Sequence, residues 1–269
     1  MKYRHAVIGC VIVIAVMSVM LRTIESKLLF PAPRFPSGNW SPQDLEFEEI
    51  DFSSEDGVPL HGWFLPHQDP RAHLLFCYGN GEHVAFTAPV LKHLNEALNC
   101  SLFAFDYRGY GRSSGSPTEQ GIFADSRAAH IKFAQLADIK PSEVVVMGKS
   151  LGGAVAVELA ATQTVRGLVL LRTFTSIPDV ASWLYPWFPV RWFLHSEFNS
   201  LHRIQGYNGP LLQGHGTADQ LVPYVQGEQL FKASPSTRKQ FVSIPGGTHN
   251  DPIEGRFFEA LELFLNALP

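Results

Sequence analysis

The sequence predicts an α/β fold in which a mostly parallel sheet carries helices on both faces and one small insertion forms a cap. Short apolar runs alternate with longer segments of helical periodicity, which is typical of parallel strands buried on both faces. The turn signal Asp56-Gly57 predicts that the first two strands form an antiparallel hairpin. A chain of 269 residues is long enough for one large domain with a substantial core.

The elements follow in order along residues 45–269, which we take as the folded domain. Residues 46–52 alternate apolar and polar side chains as a half-exposed strand does, and residues 60–65 return from the turn. Continuous apolar runs predict the later strands at residues 73–78, 101–105, 143–147, 167–171, 210–213 and 239–244. Helical spacing predicts helices at residues 88–98, 119–137, 151–161 and 253–268.

One connection, almost 40 residues long, is expected to form the small cap, at about residues 175–207. It is rich in aromatic residues, and its prolines limit it to short helices with turns between them. The rings expected to line an apolar acyl pocket are Trp183, Trp187, Phe188 and Trp192. Two alternatives stay open, namely rings that pack the cap onto the domain and an exposed aromatic surface that touches a bilayer.

The N-terminal residues 1–22 differ in composition from the rest of the chain. Residues 6–21 are nearly all apolar and follow Lys2 and Arg4, which favours a retained single-pass membrane anchor. A cleaved signal segment, which would leave a secreted or periplasmic protein, is the alternative. Residues 23–44 are predicted to be a linker, because the prolines between residues 31 and 36 oppose regular structure.

Charge and cysteine content narrow the classes of partner. The formal net charge is −4 and no long run of Lys or Arg occurs, which argues against nucleic-acid binding. The chain has neither a C-x-x-C pair nor an H-E-x-x-H motif, so no metal and no cofactor are expected. Cys77 and Cys100 are expected to be small buried thiols, although the sequence leaves a disulfide between them open.

The segment Gly148-Lys149-Ser150-Leu151-Gly152 matches the pattern G-x-S-x-G between a predicted strand and a predicted helix. In that setting a sharp turn exposes the serine, and the glycines remove side chains that would clash. A serine hydroxyl is a weak nucleophile at neutral pH and needs an adjacent base. Ser150 is therefore the candidate nucleophile.

The candidate base and acid lie in loops that follow later strands. Open α/β sheets place their sites at the carboxyl ends of the strands, which is where His249 and Asp219 fall. The order Ser, Asp, His along the chain fits His249 as the base and Asp219 as the acid that orients it. Asp179 is the alternative acid, and His215 is the alternative histidine.

An oxyanion hole needs two N–H donors that point at the developing negative charge. The backbone N–H of Leu151, directly after the nucleophile, is the first candidate. The second is expected from the loop Tyr78-Gly79-Asn80-Gly81 after an early strand, with Asn80 as the donor.

These residues together resemble the α/β-hydrolase superfamily and, within it, the Bem46-like hydrolases. The resemblance runs from about residue 46 to the C-terminus and rests on residues 78–81, 106–113, 148–153, 175–180, 215–219 and 249–251. It implies the α/β-hydrolase fold and a catalytic triad of Ser150, Asp219 and His249. The family usually has His-Gly-Asn where this chain has Tyr78-Gly79-Asn80, so the substrate's surroundings near the hole are expected to differ.

The expected function is that of a serine hydrolase acting through an acyl-enzyme on esters or thioesters of apolar acyl groups, lipids among them. Two alternatives stay open at this point. One is a membrane-anchored binding protein that keeps the fold without turnover. The other is a serine peptidase, because peptide hydrolysis uses the same triad.

Overall fold

A computed structural model describes residues 25–269, apart from the side chain of Trp192. Its centre is an eight-stranded sheet with the strand order β1-β2-β4-β3-β5-β6-β7-β8. The strands are β1 (Glu48–Ser53), β2 (Pro59–Leu65), β3 (Ala72–Cys77), β4 (Cys100–Phe105), β5 (Val144–Lys149), β6 (Gly167–Leu171), β7 (Leu211–Gly216) and β8 (Lys239–Ile244). Strand β2 pairs antiparallel with both β1 and β4, and the other neighbours are parallel. The predicted hairpin and mostly parallel sheet are confirmed.

Within residues 48–269, seven α-helices connect or flank the strands, and residues 25–29 are also helical. The seven are α1 (Val84–Leu98), α2 (Glu119–Leu136), α3 (Leu151–Thr162), α4 (Ile177–Leu184), α5 (Ser200–Arg203), α6 (Tyr224–Ala233) and α7 (Gly255–Ala267). Helix α1 begins four residues before its predicted start. The backbone N–H of Val84 donates to the buried carboxylate of Asp106 at 2.9 Å, a tertiary contact that local periodicity does not reveal.

The parallel arrangement of β5, β6, β7 and β8 determines where the loops meet. Neighbouring parallel strands end at the same edge of a sheet, so the loops after β5, β7 and β8 gather there. Those loops carry Ser150, Asp219 and His249 respectively. Because β6 lies between β5 and β7 and ends at the same edge, the residues that follow it also reach this region.

Residues 25–44 pack on the domain, which differs from the linker predicted over residues 23–44. Phe30 and Trp40 are 4% and 7% exposed, and the Asn80 side-chain amide donates to the carbonyl oxygen of Leu29 at 2.6 Å. The prolines do produce a largely irregular backbone, but irregular backbone can still bury large rings.

The predicted membrane segment, residues 1–22, lies outside the described residues. Between residues 25 and 269 no helix combines the length and the apolar character needed to cross a membrane. Both described cysteines, Cys77 and Cys100, are buried free thiols. The disulfide that the sequence left open is therefore not formed.

The predicted cap has an outer part at its start and a part that packs on the core at its end. Helix α4 and the short 3-10 turn at Val190–Trp192 form its outer part. From Phe198 onward the chain returns to the core, because Phe198, Ile204 and Tyr207 are all buried.

Candidate active site

Ser150 occupies the tight turn between β5 and α3. Its backbone has φ 54° and ψ −120°, a strained conformation for a residue with a side chain. A Cβ on Gly148 would clash with the carbonyl oxygen of Gly152, and a Cβ on Gly152 would clash with that of Cys77. The glycines of the motif are therefore required by the close approach of helix and strand.

Ser150, His249 and Asp219 form one hydrogen-bonded row. Ser150 Oγ lies 3.0 Å from His249 Nε2, and His249 Nδ1 lies 2.8 Å from Asp219 Oδ2. An ionised carboxylate only accepts hydrogen bonds, so Nδ1 carries the proton and Nε2 is free to accept from the serine hydroxyl. His249 and Asp219 are 8% and 7% exposed, which keeps the row largely out of water.

Two backbone N–H groups hold the Asp219 carboxylate in addition to His249, and the ring of His215 lies beside it. Its Oδ1 accepts from the backbone N–H groups of Leu221 at 3.0 Å and Val222 at 2.9 Å. His215 Nε2 lies 3.5 Å from Oδ2 and donates to the carbonyl oxygen of Val222 at 2.9 Å. Burial raises the pKa of Asp219, but the hydrogen bonds from His215, His249 and Val222 lower it more, so the net pKa lies below its ordinary value. The carboxylate therefore stays ionised at neutral pH.

Both alternatives from the sequence have other structural partners. Asp179 lies in the first turn of α4, where it accepts from the hydroxyls of Thr175 at 2.6 Å and Ser176 at 2.7 Å and pairs with Arg191, while Ser176 caps the helix. His215 is buried beside Asp219 rather than beside Ser150. The sequence did not reveal that this second histidine touches the acid.

Arg172, which the sequence analysis missed, supports the loop that carries His249. It follows β6 directly and is 1% exposed. Its guanidinium donates to the carbonyl oxygens of His249 at 3.2 Å, of Asp251, and of Pro252 at 3.5 Å. An isolated arginine gives no sequence signal, because its role depends on two loops that are distant along the chain.

The loop after β3 lies against the nucleophile. A Cβ built on Gly79 would stand 3.5 Å from Ser150 Cβ. The side chain of Asn80 is engaged elsewhere, since its Nδ2 donates to Leu29 and its Oδ1 accepts from the Tyr110 hydroxyl at 2.7 Å. Its backbone N–H is therefore the group that remains for an oxyanion. Leu151 opens α3, where the first N–H groups have no partner within the helix.

Glu82 links that loop to the serine turn, and the sequence analysis missed this residue as well. Its Oε2 accepts from the backbone N–H of Gly79 at 2.8 Å, and its Oε1 accepts from Lys149 Nζ at 3.0 Å. One carboxylate thus joins the candidate oxyanion loop to the residue directly before Ser150.

The aromatic rings predicted to line a pocket are largely exposed. Trp183, Trp187 and Phe188 are 58%, 79% and 44% exposed, and the side chain of Trp192 lies outside what the structure describes. Trp183 borders a cavity of about 690 Å³ between the cap and α6, and the residues lining that cavity do not include Ser150.

A different cleft, of about 410 Å³, lies beside the serine turn. Its lining includes Lys149, which precedes Ser150, and Asn250, which follows His249. Val90, His93 and Ile253 lie in its wall together with two prolines and three carboxylates, and Ser150 itself is not among the lining residues. Between residues 25 and 269, no group of three or more His, Cys, Asp or Glu side chains is placed to hold a metal ion.

Comparison with known proteins places this geometry in a family. A family model described as the alpha/beta hydrolase fold matches residues 72–201. Rv2307c of Mycobacterium tuberculosis is 37% identical over 222 residues, covering 81% of this chain and 78% of that protein. The bem46 protein of Schizosaccharomyces pombe is 32% identical over 261 residues, covering 90% of this chain and 85% of that protein.

A solved structure shows the same fold at lower identity. The Pyrococcus furiosus esterase Pf2001 superposes with a TM-score of 0.71 at 20% identity, covering 88% of this chain and 99% of that one. The fold and the sequence relatives agree with each other and with the resemblance drawn from the motifs. The chain therefore belongs to the α/β-hydrolase superfamily and, within it, to the Bem46-like group.

Proposed function

We propose that this protein is a serine hydrolase that cleaves carboxylic ester or thioester bonds of apolar acyl substrates through an acyl-enzyme. The observation that supports the proposal is the hydrogen-bonded row from Ser150 Oγ through His249 to Asp219. Each residue has the chemical capacity its place requires: a hydroxyl in a strained turn, an imidazole with a free acceptor nitrogen, and a buried ionised carboxylate.

In the first half-reaction, His249 Nε2 takes the proton of Ser150 Oγ as the oxygen attacks the substrate carbonyl. The carbonyl oxygen becomes negative, and the backbone N–H groups of Leu151 and Asn80 would donate to it. His249 then gives its proton to the leaving alcohol or thiol as the carbon–oxygen or carbon–sulfur bond breaks. The acyl group stays on Ser150.

In the second half-reaction, water replaces the leaving group. His249 takes a proton from the water, whose oxygen attacks the acyl carbon. Return of that proton to Ser150 Oγ releases the carboxylic acid and restores the row. Asp219 keeps its negative charge throughout, stabilising the imidazolium that forms in each half-reaction.

The cleft beside Lys149 and Asn250 is the proposed acyl site, in place of the exposed cap rings. Val90 and Ile253 give it apolar surface, and it borders Lys149 and Asn250, the chain neighbours of Ser150 and His249. Each buried methylene contributes about 0.8 kcal/mol, so kcat/KM should rise with acyl length until the cleft is full. The fold shared with a protein named an esterase makes esters the first substrates to test.

The test is labelling of the full chain in detergent with a fluorophosphonate probe, followed by turnover of acyl esters and acyl thioesters from two to twelve carbons. We expect stoichiometric labelling, its loss in Ser150→Ala, and a fall in turnover of about 10³-fold or more. An unlabelled, folded wild type would contradict the proposal and favour a non-catalytic binding protein. Labelling with cleavage of peptides but not esters would favour a peptidase.

We also propose that residues 1–22 anchor the protein in a membrane. The support is the apolar run after Lys2 and Arg4. Intact mass of the protein from membranes tests this, because a retained anchor leaves the full mass. A mature chain that begins after residue 16 and is recovered in the aqueous fraction would contradict the anchor.

A further inference from the structure

Large apolar side chains are concentrated on the outside of one short stretch of the cap. We call this stretch the aromatic face and define it by its exposed members Trp183, Leu184, Tyr185, Trp187, Phe188 and Phe193. Trp187 alone is 79% exposed. Single exposed apolar residues are ordinary on a protein surface, but a group of six within eleven residues is not.

Three rings of the aromatic face touch one another. The ring centroids of Trp187 and Phe188 are 5.8 Å apart, and those of Phe188 and Phe193 are 5.4 Å apart and stacked. A turn holds the segment in place, because the N–H of Phe188 donates to the carbonyl oxygen of Tyr185 at 3.0 Å. Three of its six members therefore form one contacting cluster, and the other three are exposed on the same short segment.

The chain enters the domain directly against this part of the cap. The Glu25 carboxylate accepts from the backbone N–H groups of His195 at 2.9 Å and Ser196 at 2.7 Å, and lies 3.0 Å from His195 Nδ1. Glu25 is only 8% exposed, so this attachment is built into the domain. His195 in turn is two residues from Phe193 of the aromatic face.

This attachment limits how far the N-terminal apolar run can lie from the cap. The run ends at Leu21, four residues before Glu25, and four extended residues span at most about 14 Å. A bilayer that held residues 1–22 would therefore lie next to the aromatic face. Lys27 and Leu28, which follow Glu25, are both exposed, a cation and an apolar side chain suited to headgroups and acyl chains.

We propose that the aromatic face docks on the surface of a lipid bilayer, with its Trp and Tyr rings at the level of the headgroups. These two residue types favour the membrane–water interface because one end of each ring system is apolar and the other is polar. Docking would place the cap between the bilayer and the body of the domain. The inference builds on the proposed anchor but requires no hydrolase activity.

The distribution of tryptophan makes a direct test available in the full chain. Residues 1–24 contain no tryptophan. Of the five in the chain, Trp40 and Trp63 are buried in the domain, and the others are the three tryptophans of the cap. Fluorescence quenching by lipids with brominated acyl chains therefore reports on the cap and not on the anchor.

The full chain is reconstituted in phosphatidylcholine–phosphatidylglycerol vesicles with plain or dibrominated acyl chains. We expect the brominated lipid to remove at least about half of the fluorescence emitted by the three cap tryptophans. The variant Trp183→Phe/Trp187→Phe/Trp192→Phe keeps apolar rings and should show no such quenching. In that background, Leu263→Trp on α7, an exposed position outside the cap, should emit without being quenched.

Two outcomes would overturn the proposal. Equal emission of the wild type in plain and brominated vesicles would mean that the rings do not contact lipid. If the wild type were then a dimer and the triple variant a monomer, the aromatic face would be a contact between copies of the chain. Equal quenching at Leu263→Trp and in the wild type would show that the cap is no closer to the lipid than α7, which contradicts docking through the aromatic face. Neither readout depends on turnover, so loss of docking is distinguishable from loss of hydrolase activity.

Discussion

Arg172 Nη1 donates to the carbonyl oxygen of His249 at 3.2 Å, across 77 residues of sequence. The same guanidinium reaches the carbonyl oxygens of Asp251 and Pro252. Burial lowers the pKa of Arg172, and the negative charges of Asp251 and Asp219 act in the opposite direction. A buried cation thus holds the loop from which His249 reaches Ser150.

Arg172→Lys should lower kcat with little change in KM. The N–H donors of a guanidinium are spread over a planar group, whereas those of a lysine ammonium share one nitrogen and would not reach all three carbonyl oxygens. His249 would then shift relative to Ser150, and a misplacement of 1 Å lowers the rate by about 10²-fold. The measurement is ester turnover together with the rate of fluorophosphonate labelling, well below the melting temperature.

The matched control for Arg172 is Arg166→Lys, the same substitution just before β6, where the side chain donates to Pro269 near the C-terminus. It should leave both rates unchanged. If Arg172→Lys lowered stability while kcat stayed at the wild-type value, Arg172 would have a structural role only.

Asp219→Asn should reduce kcat by about 10³- to 10⁴-fold, because an amide donor facing Nδ1 favours the wrong imidazole tautomer. Asp179→Asn serves as its control and should act mildly, since the Asp179 carboxylate is held by the hydroxyls of Thr175 and Ser176 and pairs with Arg191. Steady-state kinetics on one ester measure both variants. Reversed effects would show that the acid is misassigned.

Glu82→Gln should lower kcat and kcat/KM by similar factors, of about tenfold. Its carboxylate joins Gly79 to Lys149, and loss of that charge would loosen the candidate oxyanion loop, whose donors act mainly in the transition state. Lys149→Met should have a comparable effect, and the double variant should be no worse than either single one. Fully additive losses would argue against a coupled pair. The control Glu96→Gln, on α1, should leave kcat and kcat/KM unchanged.

Gly152→Ala should destabilise the fold by about 3 kcal/mol or more, because the new methyl group would meet the backbone of Cys77. Gly206→Ala is the control, since its nearest neighbour would be 3.4 Å away and its stability should change by less than about 1 kcal/mol. Urea unfolding of both variants measures the difference. A soluble Gly152→Ala with wild-type stability would contradict the observed packing of α3 on β3.

The two buried thiols should resist alkylation in the native protein. Burial raises the pKa of Cys100 to about 11 and that of Cys77 higher still. At pH 8 only about one Cys100 in 10³ would be a thiolate, the form that reacts. Site-resolved mass spectrometry after iodoacetamide treatment should find both unmodified until denaturant is added. Rapid native labelling of Cys100 would contradict its burial.

Features that depend on spacing over a few residues could be predicted from the amino-acid sequence. The alternation in β1, the apolar runs of β3 to β7 and the G-x-S-x-G turn are local patterns, and each strand forms within three residues of its predicted bounds. The order of Ser150, Asp219 and His249 could be predicted because parallel strands bring their following loops to one edge. The family resemblance followed from the same short motifs.

Contacts between side chains that are far apart along the chain depend on the fold of the whole domain, and the sequence did not predict them. Arg172 beneath the His249 loop, Glu82 between Gly79 and Lys149, and Glu25 on the cap join segments that no local pattern connects. The outward orientation of Trp187 was likewise left open, because an aromatic residue has the same hydrophobicity in a pocket, in a core or on a surface. What decides among these is how much of the ring the neighbouring elements cover, and that depends on the three-dimensional arrangement of the whole domain.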